Sequence, residues 1–168
     1  MNVRLANALG AVACTGLMAY ALYTQHRLGI EPCPLCIFQR VAVISLGIVF
    51  LVAALHPAGQ IGRRVYAIAL GLIALAGSGV AARHVWLTTL PPDLVPSCGP
   101  GLDFILDAFP LVDAVKMVFS GSGECARVDW HFLGLSMPVW VLLALLALGT
   151  FGVLANWRAA NRSAPSAQ

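Results

Sequence analysis

Four long stretches of this chain contain no aspartate, glutamate, lysine or arginine: Leu5–Tyr23, Val41–Gly62, Val65–Ala82 and Phe132–Trp157. A helix needs about 20 mostly apolar residues to cross a bilayer, so each stretch is long enough. Each must also be helical, because an isolated strand in lipid would leave its backbone N–H and C=O groups without partners. The period-two alternation of barrel strands is missing.

Composition agrees. Of 168 residues, 60% are hydrophobic and 10% charged, and the mean hydropathy is +0.85. Soluble domains carry about 25% charged residues, which excludes a soluble globule. A chain so poor in charge cannot stay solvated as a disordered coil either. The net charge of +3 is too small and too scattered for nucleic-acid binding. The expected fold is therefore an all-α membrane protein, a four-transmembrane-helix bundle. It forms one domain over 1–162, with spans near 5–23, 41–62, 65–82 and 136–157. Pro138 is placed to mark the start of the last helix, and the polar tail 163–168 is expected to be disordered. Ala19 and Ala21 form an A-x-A pattern like a signal-peptide cleavage site. The apolar run exceeds the usual h-region of about 7–15 residues, so it is read as a retained first span.

Arg4, Arg63, Arg64, Arg158 and Arg162 fall at one side of these spans, with no acid among them. Arg27, Arg40, Arg83, Lys116, Arg127 and all seven acids fall at the other. The basic residues are denser in the short segments of the first side, which places both termini and the Arg63/Arg64 turn in the cytoplasm. Two loops then face outward, 24–40 and 83–131.

The cysteines divide along the same line. Cys14 lies within the first span and reads as a small buried hydrophobe. Cys33, Cys36, Cys98 and Cys125 all fall in the outward loops, on the side where disulfides persist. Cys33-Pro34-Leu35-Cys36 is a C-x-x-C, a pattern that suits redox exchange or zinc. Cys36 opens the second span, where the positive end of the helix dipole favours a thiolate. Arg40, four residues on, shares its helix face. It either stabilises that thiolate or an anion on a bound acceptor, or it anchors the helix at the headgroups.

A disulfide between Cys98 and Cys125 would close the long loop and stabilise it by roughly 3–4 kcal/mol. In an exposed segment flanked by Gly99, Pro100, Gly121 and Gly123, it would also be open to attack by an external thiolate. Both roles stay open on spacing alone. A four-cysteine zinc site is the competing chemistry, but structural sites usually draw on two close pairs, so no metal is expected. Leu102, Ile105, Leu106 and Phe109 follow helical spacing within 102–119, with Asp103 and Asp107 on another face. This suggests a short interfacial helix. His84 and Trp130 sit at the outer ends of the third and fourth spans, at the depth of Arg40. They belong either to the aromatic and charged belt or to a site.

Four spans, C-P-L-C-I-F-Q-R opening the second, a separated cysteine pair in the second outer loop, and W-H-F-L-G-L-S-M-P-V-W leading into the fourth resemble the DsbB family. Its members are bacterial inner-membrane disulfide-forming proteins. The likeness covers about Ala19 to Trp157. It implies an enzyme, a quinone-dependent thiol oxidoreductase, with its active cysteines in the periplasm. Cys98 resembles the residue attacked by a reduced DsbA-like thioredoxin-fold partner, and Cys125 its disulfide partner. Cys33 and Cys36 resemble the pair that passes electrons to ubiquinone or menaquinone, with Cys36 the thiolate at the ring. Arg40 resembles the family's quinone-site arginine, and His84 and Trp130 resemble residues near that pocket. The cofactor has an energetic reason: DsbA sits at roughly −120 mV, whereas structural disulfides lie below about −300 mV. Ordinary protein disulfides could not reoxidise such a partner without a stronger oxidant behind them. Gln39 departs from the acid that related sequences can carry before the arginine, and the flanks of Cys98 match no family pattern residue by residue. Two other readings remain: a specialised paralogue serving a dedicated partner, and a non-enzymatic membrane protein with structural disulfides.

Overall fold

The computed structural model describes residues 2–91, 110, 123–126 and 131–162. Cys98, Trp130, most of the 102–119 segment and the 163–168 tail lie outside the described residues. Four long helices account for most of the rest: α1 Val3–Leu28, α2 Pro34–Leu55, α3 Gln60–Thr88, and α5 Met137–Arg162. Each is long and apolar enough to cross a membrane. A short helix, α4 Gly123–Ala126, precedes a two-residue-per-strand hairpin, β1 His131–Phe132 and β2 Leu135–Ser136. Its strands pair antiparallel, His131 with Ser136 and Phe132 with Leu135.

The helix ends are written in local chemistry. Asn2 caps α1 by accepting from the Arg4 amide at 3.1 Å, as its short polar side chain favours. Gly29 ends α1 in the left-handed region at φ 66°, a conformation with no Cβ penalty for glycine. Pro34 opens α2, where its missing N–H costs nothing. The break between α2 and α3 falls at 56–59, not after Gly62 as hydropathy suggests. His56 is extended at ψ 121°, as a residue before proline prefers, and Gly59 is the N-cap of α3. Arg63 and Arg64 are therefore in the first two turns of α3 rather than in a turn between helices. The hairpin was hidden because it lies inside an apolar run. Leu133 and Gly134, at φ 51° and 77°, supply the two positive-φ positions of a type I′ hairpin turn.

Helices adjacent in sequence pack together, α3 most extensively on α5, and α5 also touches α1 and α2. The core is Phe50, Leu46, Leu70 and Leu145, with Cys14 buried among them, as expected of a small hydrophobe. Outward faces carry Val12, Ile48, Leu72, Leu75 and Leu146 in the open, a surface suited to lipid. Lipid tails are as apolar as these side chains, so helices associate through close packing and polar contacts. Asn7 and Asn156 exchange two buried amide hydrogen bonds, 3.1 and 2.8 Å, and tie α1 to α5. A Cβ on Gly149 would collide with the Cβ of Ala74 across α3 and α5. Gly149→Ala is thus expected to cost roughly 1–3 kcal/mol by overpacking, read as a lower Tm in detergent. An unchanged Tm would show that the two helices separate freely at that point.

Candidate active site

After Gly29 three residues without helical structure lead to Cys33, the extended N-cap of α2. Its sulfur accepts from the Cys36 amide at 3.3 Å and lies 2.9 Å from the Cys36 sulfur. One turn of helix thus holds both thiols together, with Cys36 at the positive end of the α2 dipole. Cys33 and Cys125 are buried, with Leu35 and Leu87 packed beside them. Hydrogen bonding with the Cys125 and Cys36 side chains holds the Cys33 thiol above the ordinary thiol range, and burial pushes in the same direction. Cys33 keeps its proton and is buried, whereas Cys36 is only partly buried.

His84, on α3, joins these parts. Its Nε2 lies 3.8 Å from the Cys33 sulfur and 3.1 Å from the Cys125 carbonyl oxygen. Its Nδ1 lies 4.0 Å from the Cys36 sulfur and 3.0 Å from Gln39 Nε2. The Cys125 carbonyl can only accept, so Nε2 carries the proton and Nδ1 accepts from the Gln39 amide. The ring is buried, at 3% exposure, and so is Gln39. Each contact therefore satisfies a group that water cannot reach.

Cys36, Gln39 and Arg40 line one end of a cavity of about 480 Å³ between α1, α2 and α5. Its walls are mainly apolar, with Leu17, Met18, Val43, Trp140, Val141 and Ala144 among them. The Arg40 guanidinium donates to Gln25 Oε1 at 2.6 Å and to the Ala21 carbonyl at 3.1 Å. It is held by α1 at the polar rim of the cavity. An apolar slot with thiol, amide and guanidinium groups at one end fits a lipid-soluble ring bearing carbonyl oxygens.

Of the residues singled out in the sequence, Cys33, Cys36, His84 and Cys125 come together, and Arg40 lies at the adjoining cavity. Cys98 and Trp130 lie outside the described residues. Gln39 was visible only as an uncharged neighbour of Arg40. Its three-residue spacing from Cys36 would have placed both on one helix face. Gln25, the partner of Arg40, left no local signal because it sits on another helix. Cys33, Cys36 and His84 also present ligand atoms within 4.8 Å of one another, a set that zinc accepts. Both ring nitrogens of His84 already have partners, so ligation would give one of them up.

A family model described as disulfide bond formation protein DsbB matches residues 3–155. Disulfide bond formation protein B of Methylococcus capsulatus is 52% identical over 151 residues, covering 90% of this chain and 92% of that protein. The protein of the same name from Nitrosococcus oceani is 51% identical over 158 residues, covering 94% and 92%. That of Acinetobacter baumannii is 51% identical over 149 residues, covering 88% and 87%.

Proposed function

The chain belongs to the DsbB family of disulfide bond formation proteins, and on that footing we propose that it reoxidises a DsbA-like thioredoxin-fold dithiol protein and passes the electrons to a membrane quinone. The reaction takes place at the periplasmic face of a bacterial inner membrane, with both termini in the cytoplasm. One observation carries the reading. The two cysteines of the C-x-x-C have different neighbours: Cys33 meets Cys125, and Cys36 lines the apolar cavity.

The exchange steps follow from that arrangement. A partner thiolate attacks the Cys98 sulfur of a Cys98–Cys125 disulfide, and Cys125 leaves as a thiolate. Cys125 attacks the Cys33 sulfur of a Cys33–Cys36 disulfide. The Cys33–Cys125 bond forms, and Cys36 leaves as a thiolate at the start of α2, where the helix dipole receives the charge. The second partner thiolate then displaces Cys98, and the partner departs oxidised. Cys98 attacks Cys125, restores the loop disulfide and releases Cys33. The Cys33/Cys36 dithiol now holds the two electrons taken from the partner. A bound quinone supplies the two-electron, two-proton acceptor that returns this pair to a disulfide. Gln39 and Arg40 would hold its polar edge, and Trp140 and Met18 its ring. His84 Nδ1, 4.0 Å from the Cys36 sulfur, is the atom that takes a proton from the pair once the Gln39 amide releases it.

The test supplies purified protein with a reduced DsbA-like partner and ubiquinone or menaquinone, and follows partner thiols. Catalytic reoxidation that is lost in Cys98→Ser is expected. No reoxidation with either quinone would overturn the reading and favour a dedicated partner or structural disulfides. Arg40→Met is expected to raise the KM for quinone about tenfold, equivalent to about 1.4 kcal/mol, with the KM for the partner unchanged. Equal effects on both would remove Arg40 from the quinone end. The thiol–imidazole grouping favours a second reading, a zinc site. One zinc per chain in the purified protein, with thiols protected from alkylation, would establish it.

A further inference from the structure

One buried amide touches both halves of the proposed relay. Gln39 is 3% exposed. It lines the apolar cavity beside Cys36, and its Nε2 lies 3.0 Å from His84 Nδ1. That is its one hydrogen bond among the described residues, so Oε1 and the second N–H have no partner there. Oε1 is not sealed in the protein, since Ser78 Oγ is the one buried side-chain polar atom left without a partner among the described residues. The opening Oε1 keeps is the cavity that Gln39 lines. On the far side of the imidazole ring, His84 Nε2 lies 3.1 Å from the Cys125 carbonyl oxygen. That carbonyl belongs to α4, which packs on α3, and Cys125 itself is buried against Cys33.

A neutral imidazole carries one N–H. The Cys125 carbonyl needs it on Nε2, which leaves Nδ1 to accept. Two groups compete for Nδ1. The Gln39 amide at 3.0 Å donates to it, whereas the Cys36 sulfur at 4.0 Å would, as a thiolate, accept and draw the hydrogen onto it. Of these two, the amide alone favours the form of the ring that reaches Cys125. An ionised carboxylate in place of Gln39 could only accept, and so would not hold the neutral ring in this form. We propose that Gln39 is a positioning residue for the exchange between Cys125 and Cys33. It holds His84 in the Nε2–H tautomer, and that N–H holds the Cys125 main chain with its sulfur against Cys33. The consequence for exchange rests on the relay proposed above; the tautomer does not.

The experiment places isotope-labelled histidine in the full-length protein in detergent and reads the ring nitrogens by NMR, with neither partner nor quinone present. His84→Asn identifies the His84 signals among the four histidines. The wild type is expected to show a protonated Nε2 and a bare Nδ1. Gln39→Met, similar in length but without donor or acceptor N–H and C=O groups, is expected to move hydrogen onto Nδ1. Arg40→Met, which alters the same cavity, should keep the wild-type signals. In a second measurement the oxidised protein meets a reduced DsbA-like partner without added quinone, and disulfides are mapped after an acid quench. Gln39→Met should form the Cys98 mixed disulfide as fast as the wild type and convert it to the Cys33–Cys125 disulfide about tenfold more slowly, the scale of one buried hydrogen bond. Unchanged His84 signals in Gln39→Met, or a doubly protonated ring in the wild type, would overturn the tautomer assignment and the proposal with it. A shifted tautomer with exchange at the wild-type rate would overturn the positioning role. A wild-type protein that forms no mixed disulfide would contradict the relay itself, and with it the exchange that Gln39 serves, while the nitrogen signals still report the tautomer.

Discussion

Cys36→Ser is expected to reduce quinone reduction to the uncatalysed background while leaving the first exchange with the partner intact. Cys36 is the one cysteine among the described residues that lines the apolar cavity, and a serine hydroxyl neither forms a disulfide nor ionises near neutral pH. The Cys33 sulfur would remain beside Cys125, so a Cys33–Cys125 disulfide can still form. The measurement is anaerobic quinol formation alongside gel detection of the partner mixed disulfide. Quinol at the wild-type rate would remove Cys36 from the acceptor end.

Cys125→Ser is expected to abolish turnover by a different route. The bond to Cys33 can no longer form, so electrons cannot pass from the loop to the C-x-x-C. The contact of Cys36 with the cavity is unaffected. A chemically reduced Cys125→Ser protein should therefore still form quinol once, at close to the wild-type rate, and fail only when electrons must come from the partner. Wild-type turnover in this variant would mean that Cys98 or the partner reaches Cys33 directly. Failure of the single turnover as well would mean that Cys125 supports the pocket and is more than a relay thiol.

The membrane helices were legible because the constraint behind them is a bulk one. Lipid demands long uncharged runs, and Leu5–Tyr23 or Phe132–Trp157 announces itself without any knowledge of neighbours. The helix ends were less legible. Hydropathy reports the lipid-immersed length, whereas hydrogen bonding carries α1 on to Leu28 and α3 on to Thr88. The α2–α3 break was set by Pro57 and Gly59, whose local preferences outweigh an apolar window running on to Gly62. At the site, Cys36 was readable from its place at the start of a helix, a local property. The His84 bridge was not, since its partners Gln39 and Cys125 come from two other elements, and only packing brings them together. Arg40 shows the limit of face arguments. Four-residue spacing put it on the side of Cys36, but Gln25 and Ala21 of α1 decide where its guanidinium rests.

The most direct test of the account is one turnover of the protein alone. The chain is fully reduced, freed of reductant and mixed anaerobically with a short-chain ubiquinone, and quinol is followed by absorbance while thiols are mapped by alkylation and mass spectrometry. The account predicts quinol formation matched by loss of the Cys33 and Cys36 thiols as a Cys33–Cys36 disulfide, with the same result in Cys125→Ser. Quinol formed without that disulfide, or no quinol with either ubiquinone or menaquinone, would contradict it.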